Sequence, residues 1–177
     1  MAREARQPLV GILMGSDSDL AVMEEALGVF ETHGVTCEVR VLSAHRCPDE
    51  TSRYAAEAAG RGIQVLIAGA GWAAHLAGVV ASQTTLPVIG VPIDSSPLNG
   101  MDALLSTVQM PPGIPVATMA IGKGGARNAA IFALQILALR DPDLAEKLRQ
   151  GKKDMAEDVV IGKNRKLQEH LASRSPR

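Results

Sequence analysis

The chain has 177 residues, of which 46% are hydrophobic, so it can form one domain with a sizeable core but is short for two such domains. Lysine and arginine number 18 against 19 aspartate and glutamate, and the net charge of -1 gives no electrostatic reason to expect a nucleic-acid or membrane partner. Cys37 and Cys47 lack the spacing of a disulfide framework or zinc site, and no signal peptide or membrane span follows the polar residues 1–7, so we expect a cytoplasmic protein.

Five β-branched runs alternate with helix-like stretches, and this pattern is typical of a parallel sheet with helices on both faces. The runs occupy residues 8–15, 37–44, 65–71, 87–92 and 116–122. The first helix is expected after Asp19, because apolar residues recur at helical spacing from Val22 to Phe30, and His33 and Gly34 form a typical helix end. The predicted fold class is therefore α/β.

Further helices are expected between the later runs. The second begins at Asp49 after Pro48 and ends at Gly60 and Gly62. Later helices are expected near Ala73, near Met101 and over residues 126–139, ahead of a break at Asp141. We expect one domain over residues 1–177, with mobile ends at 1–7 and 172–177 and a charged helical arm at 141–171 that packs on a neighbouring subunit.

Polar side chains and glycines follow the first three predicted strands at their carboxyl ends. These three segments are Gly15–Asp19, Ser43–Arg46 and Gly69–His75. Ligands of open parallel sheets bind beyond the carboxyl ends of the strands, where the following helices present free N–H groups. The opposite strand ends carry no such groups, with Pro8, Thr36, Gln64 and Pro87. The sequence therefore predicts a ligand site at one edge of the sheet.

The first two segments suit a phosphorylated sugar. A helix N-terminus behind Gly15 and Ser16 would offer amides and a positive dipole end to an anion, and Arg46 would add a forked, charge-assisted donor. Asp19 can accept hydrogen bonds from ribose hydroxyls, so we expect a ribonucleotide. A purely structural alternative stays open, in which Ser16 and Asp19 cap a helix, Arg46 is a solvated charge and His75 is a satisfied histidine at a helix start.

Two other motifs carry weaker signals. Gly122-Lys123-Gly124-Gly125 resembles part of a phosphate loop, but Ala117 occupies the position of its first glycine and no Ser or Thr follows the lysine, so an ATP site is rejected. Cys47 is next to Arg46, which can activate a thiol, but no base is evident nearby, and a small loop residue is the favoured interpretation.

Six strings, in this order along the chain, resemble the class I PurE family. They are MGSDSDL (14–20), SAHR before a proline (43–48), AGAG and AAHL (68–76), LPVIGVP (86–92), VQMPPGIPV (108–116) and AIGKGGARNAA (120–130). The resemblance implies a flavodoxin-like three-layer sandwich, a homo-octamer, and a mutase of purine biosynthesis that interconverts N5-carboxyaminoimidazole ribonucleotide and 4-carboxy-5-aminoimidazole ribonucleotide. It implies no metal, ATP or organic cofactor, so the expected partners are the ribonucleotide, CO2 and further copies of the chain.

The resemblance also implies roles for individual residues. Ser16, Ser18 and Arg46 match phosphate-binding positions, Asp19 matches the ribose-binding position, and His45 matches the general acid and base. Positions that line the base and the migrating carboxylate are matched by Ser43, Ala70, Gly71, Ala74, His75 and Leu76. We include Ala44 among the substrate-binding residues, and we count His75 with His45 as a candidate catalytic residue.

Three positions depart from the family pattern. Trp72 replaces a glycine, Ala77 a proline and Cys47 a threonine. We expect Trp72 to lie within reach of the bound base, and we expect the loss of the proline to free the loop around Ala77.

Other functions remain as alternatives. A class II relative carboxylates aminoimidazole ribonucleotide directly with CO2, and a further relative would act on a nicotinate ribotide; the loop AGAGWAAHL favours the mutase class. A signalling receiver is disfavoured because Gly69-Ala70-Gly71 offers no phosphate-accepting aspartate. A flavin carrier is disfavoured because Trp72 alone is available to stack on the flavin. The last alternative is an inactive subunit that binds nucleotide without turnover.

Overall fold

The structure is a computed structural model that describes residues 7–174. The chain divides into two compact units, residues 1–136 and residues 137–177. All residues of the predicted site belong to the first unit, and the predicted arm at 141–171 belongs to the second. Of the ends that were expected to be mobile, residues 1–6 and 175–177 lie outside the described part, and residues 172–174 are helical.

The first unit contains a five-stranded, all-parallel sheet. Its strands are β1 (Val10–Met14), β2 (Cys37–Val41), β3 (Val65–Ala70), β4 (Val88–Pro92) and β5 (Ala117–Thr118). Their order is β2-β1-β3-β4-β5, which is the flavodoxin-like arrangement and confirms the predicted fold class. Strand β1, which lies between β2 and β3, is buried along its whole length, as expected for a continuous apolar run inside a covered parallel sheet.

Helices follow the strands in regular alternation. The first unit holds α1 (Leu20–His33), α2 (Pro48–Glu57), α3 (Leu76–Ser82), α4 (Met101–Val108) and nearly all of α5 (Lys123–Leu137). The second unit holds α6 (Pro142–Glu157), a π-helical turn (Asp158–Lys163) and α7 (Asn164–Arg174). No helix within the described residues is both long and apolar enough to cross a bilayer.

Successive side chains of each strand point to opposite faces of the sheet. Leu13 and Leu66 belong to a buried cluster that also contains Tyr54 of α2 and Val80 of α3. On the other face α1 approaches β3 so closely that a Cβ on Gly69 would lie 2.5 Å from the Sδ atom of Met23. The absence of a side chain at that position therefore fixes the separation of helix and sheet.

Several predicted boundaries hold, because the local signals determine them. Helix α1 ends at His33, and Gly34 takes the left-handed conformation with φ +70°. Helix α4 begins at Met101 as expected. Helix α2 begins one residue earlier than predicted, with Pro48 in its first turn, where a missing N–H is tolerated.

Strand β2 ends at Val41 instead of residue 44, and α5 spans Lys123–Leu137 instead of 126–139. Two further expected boundaries are wrong for reasons that the structure shows. The third helix begins at Leu76 and not near Ala73, because Trp72 has φ +55° and the N–H of His75 bonds to the carbonyl of Ala73 at 2.7 Å, which gives a tight turn. The last strand is only Ala117–Thr118 instead of residues 116–122. It is an edge strand, and the chain beyond it keeps only single backbone bonds to β4, as from Met119 to Gly90 at 2.9 Å.

Gly90 and Gly28 provide a matched test of the packing. A Cβ on Gly90 of β4 would overlap Cγ2 of Thr107 and lie 3.0 Å from Cγ1 of Val116, whereas a Cβ on Gly28 of α1 would meet nothing within 4 Å. We expect Gly90→Ala to lower the free energy of unfolding by about 1–3 kcal/mol through overpacking. Gly28→Ala should raise it by about 0.5–1 kcal/mol through better helix propensity. Denaturant unfolding at one fixed protein concentration measures both, and a stable Gly90→Ala variant would contradict the tight packing of β4.

Candidate active site

A cavity of about 710 Å³ lies beyond the carboxyl ends of the strands, where the sequence predicts the ligand. Its lining includes eleven of the twelve expected residues: Ser16, Ser18, Asp19, Ser43, Ala44, His45, Arg46, Ala70, Gly71, His75 and Leu76. Ala74 is the exception, because it is buried and does not line the cavity. The strand ends therefore bring together residues that are up to 60 positions apart in the chain (Ser16 to Leu76).

The loop after β1 is held by reciprocal hydrogen bonds between Ser16 and its neighbours. The N–H of Ser16 donates to the Asp19 carboxylate at 3.0 Å, and the N–H of Ser18 donates to the Ser16 hydroxyl at 3.4 Å. This is the capping arrangement that the purely structural alternative proposes. The N–H groups of Ser16 and Ser18 are thus engaged inside the turn. The hydroxyl of Ser18 donates to that of Ser16 at 3.0 Å, and both residues line the cavity.

Asp19 is a buried carboxyl at the edge of the cavity. Only 5% of the residue is exposed, so its charge is poorly solvated. Burial raises the pKa of Asp19 above its ordinary value, and the hydrogen bond from Ser16 and the charge of Arg46 offset only part of this effect. The carboxylate is therefore a confined acceptor, which suits a neutral hydroxyl partner better than an anionic one.

The loop after β2 is tied to the loop after β1 by Arg46. Its Nη2 donates to the carbonyl of Gly15, and its Nε donates to the hydroxyl of Ser43 at 3.3 Å. Within the described residues Nη1 makes no hydrogen bond, so one side of the guanidinium fork is available to a ligand anion. Arg46 therefore holds two loops together while it presents positive charge to the cavity.

Cys47 closes the turn that carries His45 and Arg46. The N–H of Ser43 donates to the Sγ of Cys47 at 3.1 Å, and the N–H of Cys47 donates to the carbonyl of Ser43 at 2.9 Å. Cys47 precedes α2, yet its side chain makes no cap bond to that helix. The thiol is therefore a structural partner of the turn, in agreement with its interpretation as a small loop residue.

The two histidines of the cavity contact one another. Nε2 of His45 lies 2.8 Å from Nδ1 of His75, and the rings meet edge to face at 77°. A hydrogen bond between imidazole nitrogens needs one that carries a proton and one that does not. The pair therefore shares one hydrogen at this contact, so a proton that reaches either ring has a second basic nitrogen beside it.

The loop after β3 has no room for a side chain at Gly71. A Cβ there would overlap the Oγ of Ser95 and lie 3.1 Å from the carbonyl oxygen of Ile93. The next residue, Trp72, has φ +55°, a conformation that glycine adopts without steric penalty. This explains why a glycine suits the position. Ala77, in contrast, is buried in the first turn of α3, so the expected loosening of a loop there is wrong.

Sequence reasoning missed Ser95, which also lines the cavity. It follows the end of β4 and belongs to the same edge as the three segments that were identified. The signal was present, because the rule that places ligands at carboxyl strand ends applies equally to the fourth strand.

Replacement of Cys47 by alanine tests its structural role. The substitution leaves the N–H of Ser43 without its sulfur acceptor, so we expect the free energy of unfolding to fall by about 0.5–1.5 kcal/mol. Cys47→Ser keeps an acceptor at the γ position and should lose less. Urea unfolding of the three proteins at equal concentration makes the comparison, and equal midpoints would show that the thiol does not hold the turn.

The sequence matches the AIR carboxylase family over residues 9–158. It is 57% identical to a Pyrococcus horikoshii protein named N5-carboxyaminoimidazole ribonucleotide mutase, over 90% of this chain and 89% of that protein. A Bacillus subtilis protein of the same name is 55% identical, over 87% of this chain and 95% of that protein.

Solved structures agree with this assignment. The crystal structure of a Treponema denticola PurE2 variant has a TM-score of 0.81 and 27% identity, and the match covers 90% of this chain and 98% of that one. The fold, the cavity and the close relatives all support the same assignment, and the chain belongs to the AIR carboxylase family.

Proposed function

We propose that this protein interconverts N5-carboxyaminoimidazole ribonucleotide and 4-carboxy-5-aminoimidazole ribonucleotide, as a mutase of purine biosynthesis. The observation that carries the proposal is a single cavity that holds an anion anchor, a confined carboxylate and a pair of imidazoles, in a chain more than half identical to proteins of that name.

Substrate binding is assigned to the first two loops. Arg46 and the hydroxyls of Ser16 and Ser18 take the phosphate, because a guanidinium fork and hydroxyl donors match its oxygens. Asp19 accepts hydrogen bonds from the ribose hydroxyls. Ser43 and the backbone around Gly71 then border the aminoimidazole ring and the carboxylate that moves. These roles are the ones that the family resemblance implies, and the groups that line the cavity are chemically suited to them.

The first chemical step breaks the bond between the exocyclic nitrogen and the carboxylate carbon. His45 donates a proton to that nitrogen, the bonding electron pair stays on the nitrogen, and CO2 leaves. The product is aminoimidazole ribonucleotide, whose ring carbon is nucleophilic like that of an enamine. The cavity holds CO2 against this carbon, so the reaction needs proximity and no chemical activation of CO2.

The second step forms the carbon–carbon bond and restores aromaticity. The ring carbon attacks CO2 and becomes tetrahedral, and His45, now deprotonated, removes the proton from that carbon. One proton is given and one is taken back, so the cycle is balanced without a cofactor. His75, at 2.8 Å from His45, keeps the imidazole in place and shares its hydrogen between the two transfers.

Self-association is part of the proposal. The second unit exposes apolar side chains that a soluble monomer seldom leaves in water: Met155, Val159, Val160, Ile161, Leu167 and Leu171. We propose that this arm lies on a neighbouring copy in a homo-octamer located in the cytoplasm.

The direct test starts from each carboxylated ribonucleotide in turn, without ATP, and follows the approach to one equilibrium mixture from both sides. We expect His45→Asn to keep ribonucleotide binding and to lower kcat by about 10²–10⁴-fold, because the variant cannot transfer the proton. His170→Asn, at an exposed position of α7, is the matched control and should retain full turnover. Near-normal turnover of His45→Asn would remove this histidine from the mechanism, and a wild-type protein that interconverts neither compound would refute the function.

Arg46→Lys tests the phosphate anchor. Lysine keeps the charge but not the planar fork, so it cannot bond Gly15, Ser43 and a phosphate oxygen together. We expect KM for the ribonucleotide to rise by roughly 5–30-fold, with a smaller effect on kcat. Arg53→Lys, on the exposed side of α2 beside Glu50, should leave both constants unchanged. An unchanged KM in Arg46→Lys would place the phosphate elsewhere.

A further inference from the structure

Trp72 is a large apolar side chain at the rim of the cavity. It lines the cavity together with His45 and His75, yet 59% of the residue is exposed to water. It is the only tryptophan of the chain. A residue that lines a cavity and is also exposed stands at the opening, so the indole borders the path between the histidine pair and the solvent.

The backbone at Trp72 is held in an unfavourable conformation. Its φ of +55° is rare for a bulky residue, and such a conformation lowers stability unless the neighbours impose it. The loop before it is fixed because Gly71 packs against Ser95, and the loop after it is fixed because the N–H of His75 bonds to Ala73 at 2.7 Å. The position therefore cannot relax without disturbing the cavity wall.

Packing does not explain the tryptophan. Most of its surface contacts water, so it adds little to the buried core, while its left-handed backbone works against stability. Glycine would adopt the same φ without that penalty. The packing of this chain therefore gives no reason for the side chain, and its position in the cavity lining points to a role toward the bound ligand.

The proposed reaction has one requirement that the phosphate anchor does not meet. CO2 is free and uncharged between the two steps, and Ser16, Ser18 and Arg46 hold only the phosphate end of the nucleotide. Recapture then depends on a barrier at the opening near the base. An aromatic side chain is suited to that task, because it is large, apolar and has few rotatable bonds.

We propose that the indole of Trp72 covers the opening of the cavity over the bound base and retains the CO2 released in the first step. The inference rests on the proposed function. It assigns Trp72 as a positioning residue, which transfers no proton and forms no bond with the substrate. When CO2 escapes, the nitrogen keeps the proton from His45, so free aminoimidazole ribonucleotide and CO2 are the products in place of the rearranged carboxylate.

The experiment measures how much of the original carboxylate is retained per turnover. The full-length protein receives N5-carboxyaminoimidazole ribonucleotide labelled with ¹³C in the carboxylate, in buffer that contains unlabelled bicarbonate. The label in the rearranged product and the free aminoimidazole ribonucleotide are then quantified. Wild-type protein should retain nearly all of the label. Trp72→Gly and Trp72→Ala should lose label about tenfold more often per turnover, which corresponds to an escape barrier lower by about 1.4 kcal/mol.

Paired variants separate the effect of the indole's size from the effect of backbone strain at residue 72. Trp72→Ala removes the indole but keeps an unfavourable φ, whereas Trp72→Gly removes both, so Trp72→Gly should melt about 2–4 °C higher than Trp72→Ala while both lose label equally. Trp72→Phe keeps an aromatic cover and should retain most of the label. Asn99→Gly is the control for strain alone, because Asn99 has φ +51° and does not line the cavity.

The outcomes are distinct. Label retention in Trp72→Gly equal to that of the wild type, with normal interconversion, would overturn the role of Trp72 and leave the proposed function intact. Wild-type protein without any interconversion would overturn both. Saturation with ribonucleotide should also change the fluorescence of Trp72, since the base lies beneath it, and unchanged emission from a saturated protein would place the indole away from the opening. Light scattering must give the same mass for every variant.

Discussion

The cavity depends on the contact of Arg46 with the loop after β1. In a parallel sheet the strand ends lie side by side. The loops beyond the strands are joined to one another only by contacts between their own residues. Arg46 donates to the carbonyl of Gly15 on one side and to the hydroxyl of Ser43 on the other. Because the same guanidinium presents positive charge to the cavity, the residue that joins the two loops is also the proposed phosphate anchor.

Most of the fold and of the site could be predicted, because their signals are local. Apolar runs define the four longer strands, and a parallel arrangement then places their carboxyl ends together without knowledge of any contact. The clustering of Ser16, Ser43 and Arg46 follows from that single rule, as does the position of the histidines at the same edge. The helix end at Gly34 was equally predictable, because a glycine after an amphipathic run signals a left-handed residue.

The remainder depends on contacts that no sequence pattern encodes. The amides of Ser16 and Ser18 are engaged by side chains of their own turn, which only the conformation of residues 16–19 reveals. The contact between His45 and His75 joins residues 30 positions apart through the orientation of two rings. The late start of α3 follows from the positive φ of Trp72, and local propensity disfavours that conformation for a tryptophan.

Strained, poorly solvated and polar groups gather at one edge of the sheet. Asp19 is a buried carboxyl with a raised pKa, Trp72 has a left-handed backbone, and the two histidine rings contact each other in a solvent-exposed cavity. The interior strand β1, in contrast, is apolar and buried along its whole length. Strained and poorly solvated groups persist only where a rigid surrounding structure imposes them. The buried sheet therefore supplies the stability that allows its carboxyl edge to hold the two histidines, Arg46 and Trp72 in positions that none of them would adopt alone.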